Sequence, residues 1–279
     1  MAATNAAAAS AAGLRTAKRS MRKAMAQRLA QMSRQEILEQ SEHVTRRILA
    51  SPTYQRAEAI SVYVSMASGE VDTDHLCRHT LLAGKRLYVP LFAAPASSAA
   101  SSATSSSTSS LKSPASTFSS DMRMLRLRTL AEYEGMKMNR WGIREPEEEY
   151  AAGVEEISQG SPSPDQSQSQ NERVRRENAL DPSTGGSGLD LILSPGVAFD
   201  EQAGRLGHGK GYYDRYLARC EEFAQQRGKA GPVCVALGLT PQVLPSGERV
   251  PQDEYDRTLD GIVVPSGVLR ATDDRGRWE

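Results

Sequence analysis

Apolar residues recur at helical spacing in the first part of the chain, from Lys18 to about Leu49. The pattern is interrupted near Ser33, which stands three residues before Glu36 and forms with it the S-x-x-E pattern of a capping box. Because a capping box satisfies backbone N–H groups at the start of a helix, it marks the beginning of a new one. The pattern therefore predicts two consecutive helices.

The next apolar segments change between strand and helix patterns. Residues 59–66 alternate β-branched or aromatic residues with small ones and predict a strand, and residues 85–92 predict a second strand. Between them a helix is predicted that is capped within residues 72–74 and runs through Leu82. A strand, a helix and a strand of these lengths form a βαβ unit, and its crossover implies a parallel sheet.

The rest of the chain continues this alternation. Residues 189–193 are almost all apolar, which is typical of a strand buried on both faces of an α/β sheet. The other predicted elements are strands at 122–127, 233–239 and 261–265 and a helix at 212–223. Together they predict a single three-layer α/β domain with a mostly parallel central sheet, of the Rossmann-like class.

The composition indicates that part of the chain buries no core. Only 39% of the 279 residues are hydrophobic and 5% are aromatic. Residues 97–120 contain 13 serines without periodicity, so this segment cannot offset its ordering entropy and is predicted to be disordered. The predicted organisation is a disordered tail at 1–16, a domain at 17–265 with disordered low-complexity insertions at about 95–120 and 147–188, and a C-terminal tail at 266–279.

Charge and cysteine content limit the classes of protein. The 34 basic and 34 acidic residues give zero net charge, which argues against binding of nucleic acid or membranes by bulk electrostatics. Cys77, Cys220 and Cys234 are widely spaced, which favours a reducing compartment over a disulfide framework. No apolar run approaches the ~18 residues that cross a bilayer. We therefore expect a cytoplasmic protein, a monomer by default, with no nucleic-acid or membrane partner.

The amino terminus leaves a second location open. Residues 1–34 hold seven arginines or lysines and no acid, which resembles a mitochondrial presequence. In the same segment Met21, Met25, Leu29 and Met32 recur at helical spacing, which would let the segment dock on a core instead. Mitochondrial import is kept as the alternative.

The segment from Gly204 to Asp214 carries the most chemical information. Four of its first eight residues are glycine, Arg205 and Lys210 lie among them, and a helix is predicted to follow. Backbone N–H groups and a helix amino end can surround phosphate in such a loop, although a flexible glycine turn has the same composition. A P-loop is not indicated, because Gly211 stands where the P-loop has Ser or Thr for Mg²⁺.

Other charged side chains are candidates for the same site. Asp214 ends the loop, and Mg²⁺ that accompanies ATP usually takes only one or two protein carboxylates. Lys18 and Arg22 share one helix face and are candidates for the outer phosphates, although a charged helix face is commonly just solvated. A second acidic set comprises Asp253, Glu254, Asp256 and Asp260.

Three further patterns are interpreted as structural. His75 and His79 flank Cys77 at the i, i+4 spacing of metal sites, but no third ligand is evident nearby, so a structural helix is preferred. Ser194 lacks the G-x-S-x-G elbow of esterases. The basic run at 173–176 falls in the second insertion and is interpreted as a solubility feature.

These motifs resemble the 5-formyltetrahydrofolate cyclo-ligase family, also called 5,10-methenyltetrahydrofolate synthetases. The most specific match joins LDLILSPGVAFD at 189–200 to RLGHGKGYYD at 205–214, and the resemblance covers about 200 residues. Supporting matches are KRSMR at 18–22, SM at 65–66 with EVDT at 70–73, WGIREP at 141–146, and VP at 250–251 with Asp256 and Asp260. The main departure is His208, where some relatives carry Arg or Tyr, which leaves a direct charge from this position to phosphate open.

The resemblance implies a role for each matched residue. ATP contacts are implied for Lys18, Arg19, Ser20, Met21, Arg22, Arg205, Leu206, Gly207, His208, Gly209, Lys210, Gly211, Tyr212 and Tyr213. Folate contacts are implied for Val64, Glu70, Trp141, His208, Gly209, Lys210, Gly211 and Tyr212. Mg²⁺ ligation is implied for Asp214 and Asp256, and Lys210 and Arg205 are the implied catalytic residues.

The implied reaction is the ATP- and Mg²⁺-dependent conversion of 5-formyltetrahydrofolate to 5,10-methenyltetrahydrofolate. ATP would phosphorylate the formyl oxygen, and N10 would then close the ring as phosphate leaves. Such a reaction needs positioning and charge neutralisation rather than a protein nucleophile.

Two alternatives stay open. One is a different ATP-dependent kinase or ligase, and the other is a nucleic-acid-binding module that uses the basic amino end and residues 173–176.

Overall fold

The structure is a computed structural model that describes residues 2–92, 122–139, 142–151, 173–270 and 278. The whole of the first predicted insertion, at about 95–120, and the middle of the second, at 152–172, lie outside the described residues. The disorder predicted for these segments therefore stays a prediction.

The helices and strands follow the alternation predicted from the sequence, and several short helices and strands occur in addition. The helices are α1 (Ala2–Leu29), α2 (Arg34–Ala50), α3 (Pro52–Arg56), α4 (Asp74–Leu82), α5 (Leu130–Glu134) and α6 (Tyr212–Gln225). The strands are β1 (Ala59–Val62), β2 (Arg86–Leu91), β3 (Arg123–Leu127), β4 (Lys137–Met138), β5 (Arg144–Glu145), β6 (Glu149–Ala151), β7 (Arg173–Arg175), β8 (Leu191–Ser194), β9 (Ala198–Phe199), β10 (Arg205–Leu206), β11 (Val233–Leu237), β12 (Gly261–Val264) and β13 (Gly267–Arg270).

A seven-stranded sheet occupies the centre of the domain, in the order β13-β12-β11-β8-β1-β2-β3. The five strands from β12 to β2 are parallel, and the edge strands β13 and β3 are antiparallel to their neighbours. Every residue of β1, β8 and β12 is buried, so the sheet is covered on both faces. The predicted three-layer, mostly parallel class is confirmed. Among the described residues, no helix is long and apolar enough to span a membrane.

The capping box between the first two helices is formed. Ser33 Oγ accepts the Glu36 N–H at 3.2 Å, and Glu36 Oε2 accepts the Ser33 N–H at 2.7 Å, so α2 begins at Arg34. The structure differs at the predicted tail, because α1 already begins at Ala2 and residues 2–16 are helical. Alanine fills much of this segment and has the highest helix propensity of all residues.

The C-terminal segment predicted as a tail at 266–279 contributes to the fold. Strand β13 pairs antiparallel with β12 after a two-residue turn, and Trp278 is buried and packed near Gly261. The sheet extends beyond the predicted boundary at 265, and a hairpin that adds one edge strand needs only a few apolar residues, which do not stand out from a polar tail.

The second predicted insertion, at 147–188, is also partly ordered. Strands β6 and β7 form a hairpin, and Arg173 pairs with Glu147 at 2.6 Å. Arg176 is buried against Glu132, with Nη1 to Oε2 at 3.0 Å, and the following Glu177 is buried beside Tyr88 and Arg126. The basic run at 173–176 is therefore a structural anchor at the sheet edge, which corrects its interpretation as a solubility feature.

Candidate functional site

The residues singled out from the sequence gather at the carboxyl ends of the parallel strands. Strand β8 ends at Ser194 and leads through the hairpin of β9 and β10 into residues 207–211, called here the glycine loop. Strand β1 ends at Val62 and leads into the segment that carries Val64 and Glu70. Ligands of doubly wound sheets bind at this edge, because loops from neighbouring strands meet there.

Asp200 fixes the hairpin that precedes the glycine loop. Its carboxylate is buried and accepts backbone N–H groups from Gln202, Gly204 and Val250, each at 2.9 Å. A side chain at Gly204 would not fit, because its Cβ would lie 2.5 Å from Asp200 Oδ2. From the sequence, Asp200 had no assigned role beyond its place in the motif, although an aspartate next to a glycine-rich turn commonly accepts hydrogen bonds from that turn.

Arg205 is the buried cation of the site. Its side chain is 3% exposed, Nη2 lies 2.7 Å from Asp214 Oδ1, and Nη1 donates to the Pro195 carbonyl at 3.3 Å. Within the described residues, Arg205 Nε has no hydrogen-bond partner. The arginine therefore ties β10 to α6 across the glycine loop.

The glycine loop turns sharply into α6. Gly209 and Gly211 have φ values of +88° and +65°, which favour glycine, and Gly211 is the N-cap residue without a capping side chain. The first N–H groups of α6 therefore have no helical acceptor and form a suitable environment for phosphate. The Lys210 side chain is exposed beside them.

His208 lies on the same loop. Partial loss of water around its ring lowers the pKa of His208, and the neighbouring charges of Arg205 and Arg22 lower it further, even though the side chain reaches the surface. The lowered pKa favours the neutral imidazole in the ligand-free protein.

Helix α1 brings another cation, Arg22, to the loop. Arg22 Nε donates to the Gly207 carbonyl at 2.7 Å, and its guanidinium carbon lies 3.1 Å from where a Gly209 Cβ would be. Met25 is buried, and Met21 and Leu29 pack beside it against the cluster that contains Leu206. The methionine stripe predicted from the sequence thus docks α1 on the domain, which places residues 18–22 at the site.

Lys18 contacts the segment at 253–256, called here the acidic turn. Its Nζ lies 2.8 Å from Asp253 Oδ2 and 2.5 Å from Asp256 Oδ2. Burial lowers the pKa of Lys18, but the hydrogen bonds to the two aspartates outweigh this effect and raise it overall. The hydrogen bond from Lys18 also lowers the pKa of Asp253.

The carboxylates of Asp214 and Asp256 belong to adjoining parts of the site. The backbone N–H of Arg257 donates to Asp214 Oδ1 at 3.4 Å, so the residue after Asp256 touches Asp214. In the described part of the chain, the protein contacts of Asp214 fall on Oδ1 and those of Asp256 fall on Oδ2. Each carboxylate thus has a second oxygen for a cation. No cluster of three metal-binding side chains occurs among the described residues.

Glu70 lies on the segment after β1 and is near enough to Tyr213 of α6 to influence it electrostatically. It is buried, and its Oε2 accepts the Met66 N–H at 3.0 Å. Burial raises the pKa of Glu70 to about 7, and the backbone hydrogen bond offsets only part of this effect. Burial also raises the pKa of Tyr213, and the nearby charge of Glu70 adds to that shift. The Tyr213 hydroxyl is buried without a hydrogen-bond partner among the described residues.

An aromatic contact at the start of α6 was not expected from the sequence. The ring of Phe92, which follows β2, packs on the ring of Tyr212 with 5.0 Å between centroids. Val64 is buried on the segment after β1. Trp141, the remaining implied folate contact, lies outside the described residues.

Several other candidates are not part of this site. Asp260 accepts the Cys234 N–H at 2.7 Å, and Glu254 is exposed. Cys77 is buried in the core, and His79 Nδ1 lies 3.0 Å from the Tyr54 hydroxyl, so the helix that carries them has the predicted structural role.

Comparison with known proteins gives consistent matches. A model of the 5-formyltetrahydrofolate cyclo-ligase family matches residues 15–265. The mouse protein named 5-formyltetrahydrofolate cyclo-ligase is 30% identical over 248 residues, which cover 89% of this chain and 93% of the mouse protein. An Arabidopsis thaliana protein named 5-formyltetrahydrofolate cyclo-ligase, mitochondrial, is 29% identical over 240 residues, 84% of this chain and 69% of that protein.

A solved structure is also similar. The 5,10-methenyltetrahydrofolate synthetase of Aquifex aeolicus superposes with a TM-score of 0.56 at 25% sequence identity, covering 92% of this chain and 94% of that chain. The span matched by the family model includes the cationic part of α1, the glycine loop and the acidic turn.

Proposed function

The chain belongs to the 5-formyltetrahydrofolate cyclo-ligase family, and from this premise we propose that it uses MgATP to convert 5-formyltetrahydrofolate to 5,10-methenyltetrahydrofolate, releasing ADP and phosphate. The observation that carries the proposal is the convergence of cations on the glycine loop. Arg22 reaches it from α1, Arg205 lies buried beneath it, and Lys210 lies on it.

The chemistry proceeds in two steps. The formyl oxygen attacks the terminal phosphorus of ATP, the bond to ADP breaks, and the formyl carbon becomes an iminium phosphate. N10 then adds to that carbon, its proton is lost to solvent, and the C–O bond breaks to release phosphate as the five-membered ring closes. Neither step needs a protein nucleophile, and both need positioning and neutralisation of phosphate charge.

The cations of the site supply this neutralisation. Arg205 is held rigidly by Asp214, so its charge is oriented before the substrate arrives, which is the condition for electrostatic catalysis. Lys210 is exposed and able to follow the transferring phosphoryl group, and the N–H groups at the start of α6 receive phosphate oxygens. We assign catalytic roles to Lys210 and Arg205 and ATP contacts to residues 18–22 and 205–213.

Mg²⁺ fits the two carboxylates at the edge of this site. Asp214 and Asp256 come from adjoining segments, and each has an oxygen outside its protein contacts, as Mg²⁺ with one or two carboxylate ligands requires. When bound, the ion neutralises phosphate charge and orients the nucleotide.

The folate is assigned to the opposite side, between the segment after β1 and the start of α6. Glu70 and Tyr212 are contacts there, together with Val64 and the outer part of the glycine loop. A protonated Glu70 would donate a hydrogen bond to an acceptor of the ligand, and an ionised one would accept from its N–H groups. The aromatic pair of Phe92 and Tyr212 offers a flat apolar surface beside it.

A cytoplasmic monomer is part of the same proposal. The sequence alternative of a removed presequence would have to spare residues 18–22, because Lys18 and Arg22 make specific contacts with the acidic turn and the glycine loop. Light scattering on the purified protein tests the monomeric state, and fractionation of cells tests the location.

The experiment is to mix purified protein with 5-formyltetrahydrofolate and MgATP and to follow the near-ultraviolet absorbance of the methenyl product together with phosphate release. Equal, ATP-dependent rises in both signals are expected. Phosphate release without the product would indicate another ATP-dependent kinase or ligase. If neither signal rose, a binding module would become the leading interpretation.

A further inference from the structure

Lys18 contacts two aspartates, of which the proposed function uses only one. Its Nζ is 2.8 Å from Asp253 Oδ2 and 2.5 Å from Asp256 Oδ2, and the lysine side chain is only 12% exposed. Asp256 is assigned to Mg²⁺, whereas Asp253 has no assigned role. A cation on the second oxygen of Asp256 would offset the charge that this carboxylate presents to Lys18, so the largely enclosed ammonium would then rely on another counter-charge, because an unpaired buried charge is costly.

We propose that Asp253 is a positioning residue that holds Lys18 at the nucleotide site while Asp256 takes part in binding Mg²⁺. The inference rests on the proposed function, since it needs a nucleotide that carries Mg²⁺. It assigns the two aspartates different tasks although both touch the same lysine.

The backbone contacts of the acidic turn fit this division. Asp253 Oδ1 accepts the Tyr255 N–H at 2.9 Å, so its carboxylate is oriented by the turn while Oδ2 faces Lys18. The Asp253 N–H donates to Asp256 Oδ2 at 2.7 Å, which links the backbone of Asp253 to the Asp256 carboxylate. The Asp253 carboxylate itself is oriented by the Tyr255 N–H, a contact that does not involve Asp256.

Pre-orienting Lys18 has a direct effect on nucleotide affinity. A lysine side chain is long and flexible, and ordering it on binding costs conformational entropy. A carboxylate that orders it in the ligand-free protein removes part of that cost from the binding step.

The test compares Asp253→Asn with Glu254→Gln. Asparagine keeps the Oδ1 acceptor for Tyr255 and removes the charge that faces Lys18, while Glu254 is the exposed neighbouring acid and controls for net charge. Calorimetry without folate measures the Kd for ATP, once with Mg²⁺ and once with EDTA. With Mg²⁺, Asp253→Asn should raise the Kd about fivefold, and Glu254→Gln should leave it unchanged.

With EDTA, Asp253→Asn should change the Kd less than about twofold, because without a cation the full charge of Asp256 still faces Lys18. In a Lys18→Met background, Asp253→Asn should have no further effect, since non-additivity reports that one residue acts through the other. Asp253→Glu, which restores the charge, should recover part of the affinity.

Three results would overturn the inference. They are unchanged MgATP affinity in Asp253→Asn, equal weakening with and without Mg²⁺, and a full additional loss in the Lys18→Met background. A wild-type protein that binds MgATP but forms no methenyl product would instead contradict the proposed function, and the binding comparison would still decide the role of Asp253.

Discussion

Arg22 donates a hydrogen bond from Nε to the carbonyl oxygen of Gly207, 185 residues later in the chain, at 2.7 Å. This contact joins the first helix to the glycine loop and brings a cation to a loop that already contains Lys210. Because the proposed phosphate-binding side of the site includes this long-range contact, α1 and the glycine loop would act together in binding ATP.

Removal of the Lys210 cation should slow the reaction. We expect Lys210→Ala to lower kcat/KM by about 10², or about 3 kcal/mol, if the ammonium neutralises the transferring phosphoryl group. The assay is the methenyl absorbance at saturating Mg²⁺. Lys229→Ala removes an exposed lysine far along the chain and should leave kcat/KM unchanged. Wild-type turnover in Lys210→Ala would exclude the lysine from catalysis.

Breaking the ion pair of Arg205 and Asp214 should destabilise the fold as well as the site. We expect Arg205→Met to lower the free energy of unfolding by about 3 kcal/mol, because Asp214 keeps a partly buried charge without its partner. Denaturant unfolding measures this. The matched control is Arg249→Met, since Arg249 is exposed and lies 3.9 Å from Asp200, and it should cost under about 1 kcal/mol. Equal losses of unfolding free energy in Arg205→Met and Arg249→Met would show that burial does not decide how much the ion pair contributes.

Glu70 should make the stability of the ligand-free protein depend on pH. Its pKa is about 7 in the folded protein and about 4.5 in the unfolded chain, so the folded state binds more protons between these values. Stability should therefore fall as pH rises from about 4.5 to 7 and stay lower above that range.

Glu70→Gln removes this titration and keeps an acceptor for the Met66 N–H. It should stabilise the protein by up to about 3 kcal/mol above pH 7 relative to wild type, and by little near pH 4.5. Denaturant unfolding at several pH values measures the difference. Glu248→Gln, at an exposed position, should follow the wild-type profile. If the stability of Glu70→Gln changed with pH in the same way as that of the wild type, another group would dominate the pH dependence.

The hairpin before the glycine loop should not tolerate a methyl group at Gly204. Its Cβ would lie 2.5 Å from Asp200 Oδ2, so Gly204→Ala should cost about 1–3 kcal/mol of stability and weaken ATP binding. Gly267→Ala is the control, because no heavy atom lies within 4 Å of a Cβ there. Thermal unfolding and ATP titration would distinguish a local defect from a general one. A stable, ATP-binding Gly204→Ala protein would contradict the constraint.

The first insertion should be dispensable. The pair of Leu91 and Arg123 shows that β2 and β3 are directly adjacent, so deletion of residues 96–119 leaves seven residues to close a hairpin. Folding and kcat/KM should stay within about twofold of wild type, since loop length has a small effect on stability. A large loss of either would mean that the serine tract contacts the domain or the site.

The sequence indicated the elements of the core because their signals are local. Ser33 and Glu36, which form the capping box, are only three residues apart. The apolar run at 189–193, which contains most of β8, indicates a buried strand without information from the rest of the chain. The hairpins were missed for the same reason. Strand β13 and the pair of β6 and β7 are too short to show a period, and only pairing with partners elsewhere makes them strands.

The candidate site divides in the same way. The chain itself showed that four glycines, Arg205 and Lys210 precede a helix, and the resemblance added Glu70 and Asp256. Only the tertiary structure decided that Lys18 meets both Asp253 and Asp256, that Arg205 is buried against Asp214, and that residues 173–176 are an anchor. The physical reason is that residue type and spacing fix local backbone preferences, whereas charge pairing and pKa depend on burial and on partners that packing brings together from distant parts of the chain.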